Sequence, residues 1–232
     1  MLHSFHLAEV PARVTAQAMA RRPGRRHHVA GLQHAEPMGS MRLGAPVVSP
    51  DRTQLRRLAM FCAWQDEAAL DAFLADDPLG QQLAGGWHVR LQFLRRWGHV
   101  TELAGLPEVA GRSDPDEPMV AFTLARMKIP EVPRFLHWGR PVERLVRDHP
   151  DVTLALAAAR PPRTVATFTI WRTTRAMTDM VFGRSAVDGP RRHADAMVER
   201  ERRDFHHEFT TLRFRPVGEH GSWQGRTGIV PV

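Results

Sequence analysis

Thirteen histidines and one cysteine are the side chains of this chain that most readily hold a metal or move a proton near neutral pH. Cys62 lies inside the apolar run from Leu58 to Trp64, with no charged neighbour to lower its pKa. It reads as a small core residue rather than a thiolate. His3 and His6 fall on an opening strand, His27, His28 and His34 in a polar, Arg-rich stretch, and His220 near the C-terminus. These read as solvated surface. His137 stands in a helical pattern interrupted by Gly139 and Pro141, and His206 and His207 lie among charged residues at a helix end. His193 differs. In a helix predicted over residues 191–205, Ala194, Met197, Val198 and Phe205 form an apolar stripe, and His193 precedes Met197 by four positions. It edges that stripe and can aim into the body of the protein. A ligand and an idle, half-exposed helical histidine both fit that placement.

Other catalytic signatures are missing. The sequence contains no phosphate loop, no dinucleotide Gly-rich turn after a strand, no nucleophile elbow, no H-E-x-x-H and no Cys-x-x-Cys-His. The chain therefore shows no nicotinamide or flavin site of its own and no thioether attachment for a prosthetic group.

Positioning such residues takes a body of some size, and 232 residues at 43% hydrophobic suffice for one large domain or two small ones sharing a core. No window approaches the ~18 apolar residues of a membrane span, and Met1–Glu9 lack a secretory pattern. The lone Cys62 rules out an internal disulfide, which fits a reducing cytoplasm. Net charge is +7 and the pI about 11.2. Only Lys128 among the basic residues is a lysine, and tyrosine is absent, which points to GC-rich coding rather than selection for phosphate contacts. The arginines are dispersed, so nucleic acid is not expected as a partner. Peripheral contact with the anionic inner face of a membrane suits the excess charge better.

An internal repeat organises the chain. Leu58–Leu74 overlays Val165–Val181 without a gap, matching Ala59 to Ala166, Phe61 to Phe168, Trp64 to Trp171 and Ala69 to Ala176. Both segments change from a strand pattern to a helical one at the same point, with Asp66 and Thr173 where an N-cap belongs. Trp64 and Trp171, one per copy, read as structural. Leu2–Ala8 and Met119–Arg126 open the two copies, and strands near His88–Leu94 and Phe209–Phe214 close them. Between them in the second copy lie a helix carrying Val132, Phe135, Leu136, Val142, Leu145 and Val146 and a strand carrying Val152, Leu154 and Leu156.

The order strand–helix–strand–strand–helix–strand is ferredoxin-like. The fold class is thus α+β: two fused ferredoxin-like repeats forming a dimeric α/β-barrel-type body within one chain. Residues 1–103 form the first repeat, 104–117 a linker, 118–216 the second repeat and 217–232 a Gly-rich, irregular tail. The barrel is complete without a second subunit, which leaves oligomerisation optional. The space between the sheets is the expected binding cavity.

Thr164–Trp171 with its following helix, Arg191–Arg215 ending in Thr211-Leu212-Arg213-Phe214, and Gly221-Ser222-Trp223-Gln224-Gly225 resemble the spheroidene monooxygenase family. Leu2–Leu7 and Phe61–Trp64 are similar to its N-terminal half. The resemblance implies a haem-dependent oxygenase that introduces a keto group into an acyclic carotenoid, on a fold shared with dye-decolourising peroxidases, chlorite dismutases and aldoxime dehydratases. It implies haem held by a helical histidine and matches His193 to the ligating position; without a thioether motif that haem would be haem b, and without a nicotinamide or flavin site the electrons would come from a ferredoxin-like partner.

On that reading His193 is the iron ligand, with His137 and His206 as alternatives. Arg191, Arg192 and Arg126 are candidates for partners of the propionates or the reacting group, and Met197 for the haem-facing stripe. Met177, Met180 and Phe182, or Phe122 and Leu124, are candidates for a substrate wall, though a core role is the commoner one. Two other readings stay open. One is a haem enzyme acting on an N–O substrate such as an aldoxime, with His137 as distal acid. The other is a non-catalytic barrel holding an apolar ligand.

Overall fold

Both strand-to-helix switches predicted at the tryptophans are present. The computed structural model describes residues 1–20, 29–46, 49, 52 and 54–231, so His27 and His28 fall outside the described residues. In chain order, β1 (Leu2–Glu9), α1 (Ala12–Ala20), β2 (Leu32–Met41), β3 (Gln54–Trp64), α2 (Glu67–Asp76), α3 (Pro78–Ala84) and β4 (Trp87–His99) form the first repeat. The second comprises β5 (Met119–Met127), α4 (Val132–Arg147), β6 (Val152–Arg160), β7 (Thr164–Trp171), α5 (Thr174–Val181), α6 (Arg192–Arg202) and β8 (His206–Gly221). The N-caps form as the spacing requires: Asp66 accepts from the Ala69 amide and Thr173 from the Ala176 amide.

The eight strands close into one antiparallel barrel in the order β1-β3-β2-β6-β7-β5-β8-β4. Each repeat contributes the ferredoxin-like order, and the two repeats meet at β2–β6 and β4–β8. The register repeats too. Leu2 pairs with Trp64 and Met119 with Trp171, while Phe5 pairs with Phe61 and Phe122 with Phe168. Both tryptophans are buried outside the barrel wall and donate their indole N–H, Trp64 to Ser4 and Trp171 to Thr169.

Strand alternation divides the side chains between an interior and an outer, helix-facing layer. Phe5, Leu7, Met38, Phe61, Trp87, Phe122, Leu124, Phe168, Ile170, Leu212 and Phe214 fill the interior and are inaccessible to solvent. The space expected to be a cavity is a close-packed aromatic core. Phe122 and Leu124 belong to it, so they are not a substrate wall. Large side chains at matching heights in both repeats leave no room there.

One boundary changes. β8 runs through Pro216 to Gly221, because β4 supplies a partner along its whole length. The segment after it is irregular, as predicted, but it is not loose. Trp223 and Ile229 pack into the barrel core, and the Ile229 and Val230 amides donate to the Glu219 carboxylate. The linker closes the core as well, through Leu106, beside Leu103 at the end of the first repeat. Among the described residues, no helix is long and apolar enough to cross a membrane.

Candidate functional site

The outer faces of the two half-sheets differ at equivalent positions. In the first repeat the middle row across the strands is Pro37, Met60, His6 and His88, all buried beneath α1, α2 and α3 or against neighbouring strands. In the second repeat the same row is Ala157, Thr167, Thr123 and Thr211. The three threonines remain half-exposed although a helix layer lies over this half-sheet, and Thr123 and Thr211 share a hydroxyl–hydroxyl contact at 3.2 Å. Half-exposed Ala155, Ala121, Ala159 and Val165 continue the small-residue face in the flanking rows.

Above this face runs α4. It starts beside β8, where the Phe135 ring packs edge-on against Phe205 and His206, and it ends on β6 through Leu145 and Val146. It also touches α6, which in turn touches α5. α4 continues through Gly139 and Pro141; Pro141 lacks an amide hydrogen, so the turn at His137 gives up one helical hydrogen bond. The half-exposure of these small side chains beneath α4, α5 and α6 implies a cleft between sheet and helices.

His193 stands in the first turn of α6, half-buried. Its Nδ1 lies 3.1 Å from the Val181 carbonyl at the end of α5. A carbonyl only accepts, so Nδ1 carries the hydrogen and Nε2 keeps its lone pair. Burial holds the pKa below that of free imidazole, partly offset by this hydrogen bond. The ring is therefore neutral at pH 7, oriented by a backbone group, with one nitrogen able to ligate. The spacing of residues had not identified the orienting partner, because Val181 is joined to His193 by helix packing and not by proximity along a motif.

Other candidates lie elsewhere. Arg191 and Arg192 are exposed at the start of α6, with Arg191 3.9 Å from Asp195, and Met197 is half-buried one turn after His193. The helix is shorter than predicted, and Ala196, not Val198, is its buried residue; Val198 is 66% exposed. Its Glu199 pairs with α4 through Arg134 at 2.9 Å, and Glu131, just before α4, receives Arg134 and Arg203. His137 is exposed on α4, against Trp138. His206 is buried at the start of β8, its Nδ1 2.9 Å from Asp204. Met177 and Met180 are buried between α5 and the sheet, whereas Phe182 is 61% exposed.

Arg126 points into the barrel, away from the helix layer. It donates to Glu36 at 2.8 Å, Glu102 at 3.2 Å and Thr164 at 3.0 Å, and Arg160 also pairs with Glu36. Burial alone would raise the Glu36 pKa; His34 at 3.5 Å and the two guanidiniums reverse that and keep it ionised. His3, His6 and His34 are buried, not solvated: they sit on strands whose both faces are covered. His6, His88 and His220 form a cross-strand stack with centroids 5.2 and 4.7 Å apart. Cys62 is buried and its thiol pKa is raised by burial, as its place in an apolar strand implies.

No family model matches the chain in sequence, and no curated protein does. Among solved structures, the chain is similar to the aldoxime dehydratase OxdRE, crystallised in complex with butyraldoxime. The TM-score is 0.54 at 7% identity, over 93% of this chain and 79% of that one. A second aldoxime dehydratase gives 0.51 at 11% identity, over 94% and 83%. At such identity the likeness establishes the fold alone: an α+β chain of two ferredoxin-like repeats in one closed barrel.

Proposed function

We propose that this chain is a haem-dependent monooxygenase of the spheroidene monooxygenase type, acting on an acyclic carotenoid or a similar hydrophobic polyene. Haem b would occupy the cleft between the small-residue face of the second repeat and its helix layer. The carrying observation is the His193–Val181 hydrogen bond, which leaves a neutral imidazole with Nε2 available. The threonines of the middle row add a second support. Where the first repeat places Met60, His6 and His88, these smaller groups leave room that an additional planar group would fill.

When bound, haem would supply oxygen activation. The chain's own residues would hold and orient it: His193 at the iron, with the Val181 carbonyl fixing the ring. Arg191 and Arg192, exposed at the start of α6, suit the propionates. The apolar helix faces would exclude water from the bound polyene. Electrons would come from a partner, and the basic surface suits an acidic, ferredoxin-like donor. His137, the acid that an aldoxime reaction would use, is exposed beside Trp138.

The test is reconstitution with haemin. A Soret band at one haem per chain, its loss in His193→Ala and its recovery with added imidazole are expected. Oxygen-dependent gain of labelled oxygen by a polyene then identifies the reaction. A colourless protein would remove haem from the proposal. Haem uptake with nitrile formed from an aldoxime, and no oxygen consumed, would replace the oxygenase.

A further inference from the structure

The two seams that join the repeats are unequal. β4 and β8 are zipped from Trp87–Gly221 to His99–Phe209, but β2 and β6 pair only from Gly39–Ala159 to Met41–Ala157. Beyond Met41 the strands part, and a cavity of about 650 Å³ opens between them. That is the size of an ordinary small-molecule site. Leu154 and Leu156, both part of the barrel core, form its floor, and Trp223 of the tail forms one wall.

Arginines ring the opening. Arg42, Arg57, Arg147 and Arg226 all line the cavity. Arg57 binds Glu9 at 3.2 Å and lies over the Trp223 ring at 5.7 Å. Arg147 binds Asp148, whose pKa it lowers, with further lowering from Arg144 and Arg42. Arg226 donates to the Thr153 carbonyl at 3.0 Å. Arg57 and Arg147 each pair with one carboxylate, and among the described residues Arg226 pairs with none. An apolar floor below a cationic rim matches one ligand chemistry: an apolar body that carries an anionic head.

We propose that this cavity is a binding site for an amphiphilic organic anion, its apolar body on Leu154 and Leu156 and its carboxylate or phosphate head on the arginine rim. The site lies at the β2–β6 seam and does not depend on the haem reading. Isothermal calorimetry with decanoate, decyl phosphate, decanol and inorganic phosphate tests it. Decanoate or decyl phosphate should bind with a change in tryptophan emission, and decanol and phosphate should each bind at least tenfold more weakly. The tighter of the two anions distinguishes a free acid from a lipid phosphate. Arg57→Gln/Arg226→Gln should weaken the anion at least tenfold, and raised salt should do the same in smaller measure. Should the double variant fold poorly, Arg226→Gln alone, which gives up only a backbone contact, should weaken it several-fold. Trp223→Phe should abolish the emission change while calorimetric binding persists. Haem uptake by the arginine variants should equal that of the parent, which separates this site from the cleft beneath α4. Equal binding of decanol, equal binding of phosphate, or unchanged affinity in the arginine variants would overturn the proposal.

Discussion

The ring of Phe5 lies 3.8 Å from that of Phe168, with the planes within 4° of parallel. Its pseudo-twofold mate is the pair Phe61 and Phe122, 4.3 Å apart and 16° from parallel. In each stack, the opening strand of one repeat meets the third strand of the other. The two half-sheets are therefore held together by aromatic contacts that neither repeat can make alone. This explains why the barrel interior is core.

Removing one ring should show this. Phe168→Ala and Phe122→Ala should each destabilise the chain by about 3–5 kcal/mol, since each leaves a large cavity in the core. A double-mutant cycle on Phe5 and Phe168 should return a coupling of about 0.5–1.5 kcal/mol beyond burial. Urea unfolding measures both. A loss below ~1 kcal/mol for either single variant would mean that the interior is not packed as described.

Filling the cleft should abolish cofactor uptake without harming the fold. Thr167→Met introduces the residue that the first repeat carries at the equivalent position, Met60. The variant should melt at or above the parent temperature and bind haem at least tenfold more weakly in a haemin titration, whereas Thr167→Ser should behave as the parent. Undiminished uptake by Thr167→Met would place haem elsewhere.

The charged group inside the barrel gives a stability prediction that is independent of any ligand. Glu36→Gln leaves Arg160 without its counter-charge and Arg126 with Glu102 alone. Breaking one side of a buried ion network typically costs about 3–5 kcal/mol. The denaturation midpoint should fall accordingly. A shift under ~1 kcal/mol would show that water already solvates the two guanidiniums.

Acid should destabilise the chain over a defined window. Burial lowers the pKa of His3, His88 and His206 to about 4, and holds that of His6 well below the free value. An unfolded histidine titrates near 6.5, so below that value the unfolded state takes up protons that the folded state refuses. Stability is thus complete above about pH 6.5 and is lost progressively as the pH falls toward 4. Each such histidine contributes a slope of up to ~1.4 kcal/mol per pH unit. His3 makes no hydrogen bond and sits among Phe61, Phe93 and Phe214, so His3→Phe should flatten the slope by about one histidine's share. A pH-independent midpoint between 6.5 and 4 would refute the burial of these rings.

Much of the architecture was legible in the sequence because it rests on local physics. The ungapped match of Leu58–Leu74 to Val165–Val181 carries strand alternation, N-caps at Asp66 and Thr173 and a terminal tryptophan, and each of these is decided within a few residues. The identity of a fused ferredoxin-like pair followed, as did the burial of Cys62 and the structural role of both tryptophans. The cleft was also latent in that match, in the change from Met60 to Thr167, but it could be read only once the outer face of the sheet was known. Tertiary structure alone decided the rest. Which face of each strand meets its twin repeat determines that Arg126 and Glu36 pair inside the barrel, that His3 and His6 are dry, and that the tail from Trp223 closes one end. The packing of α6 on α5 chooses Val181 as the partner of His193. Those contacts join segments whose approach depends on closing all eight strands at once, and the energy that selects them is side-chain burial summed over the whole barrel, which no local spacing encodes.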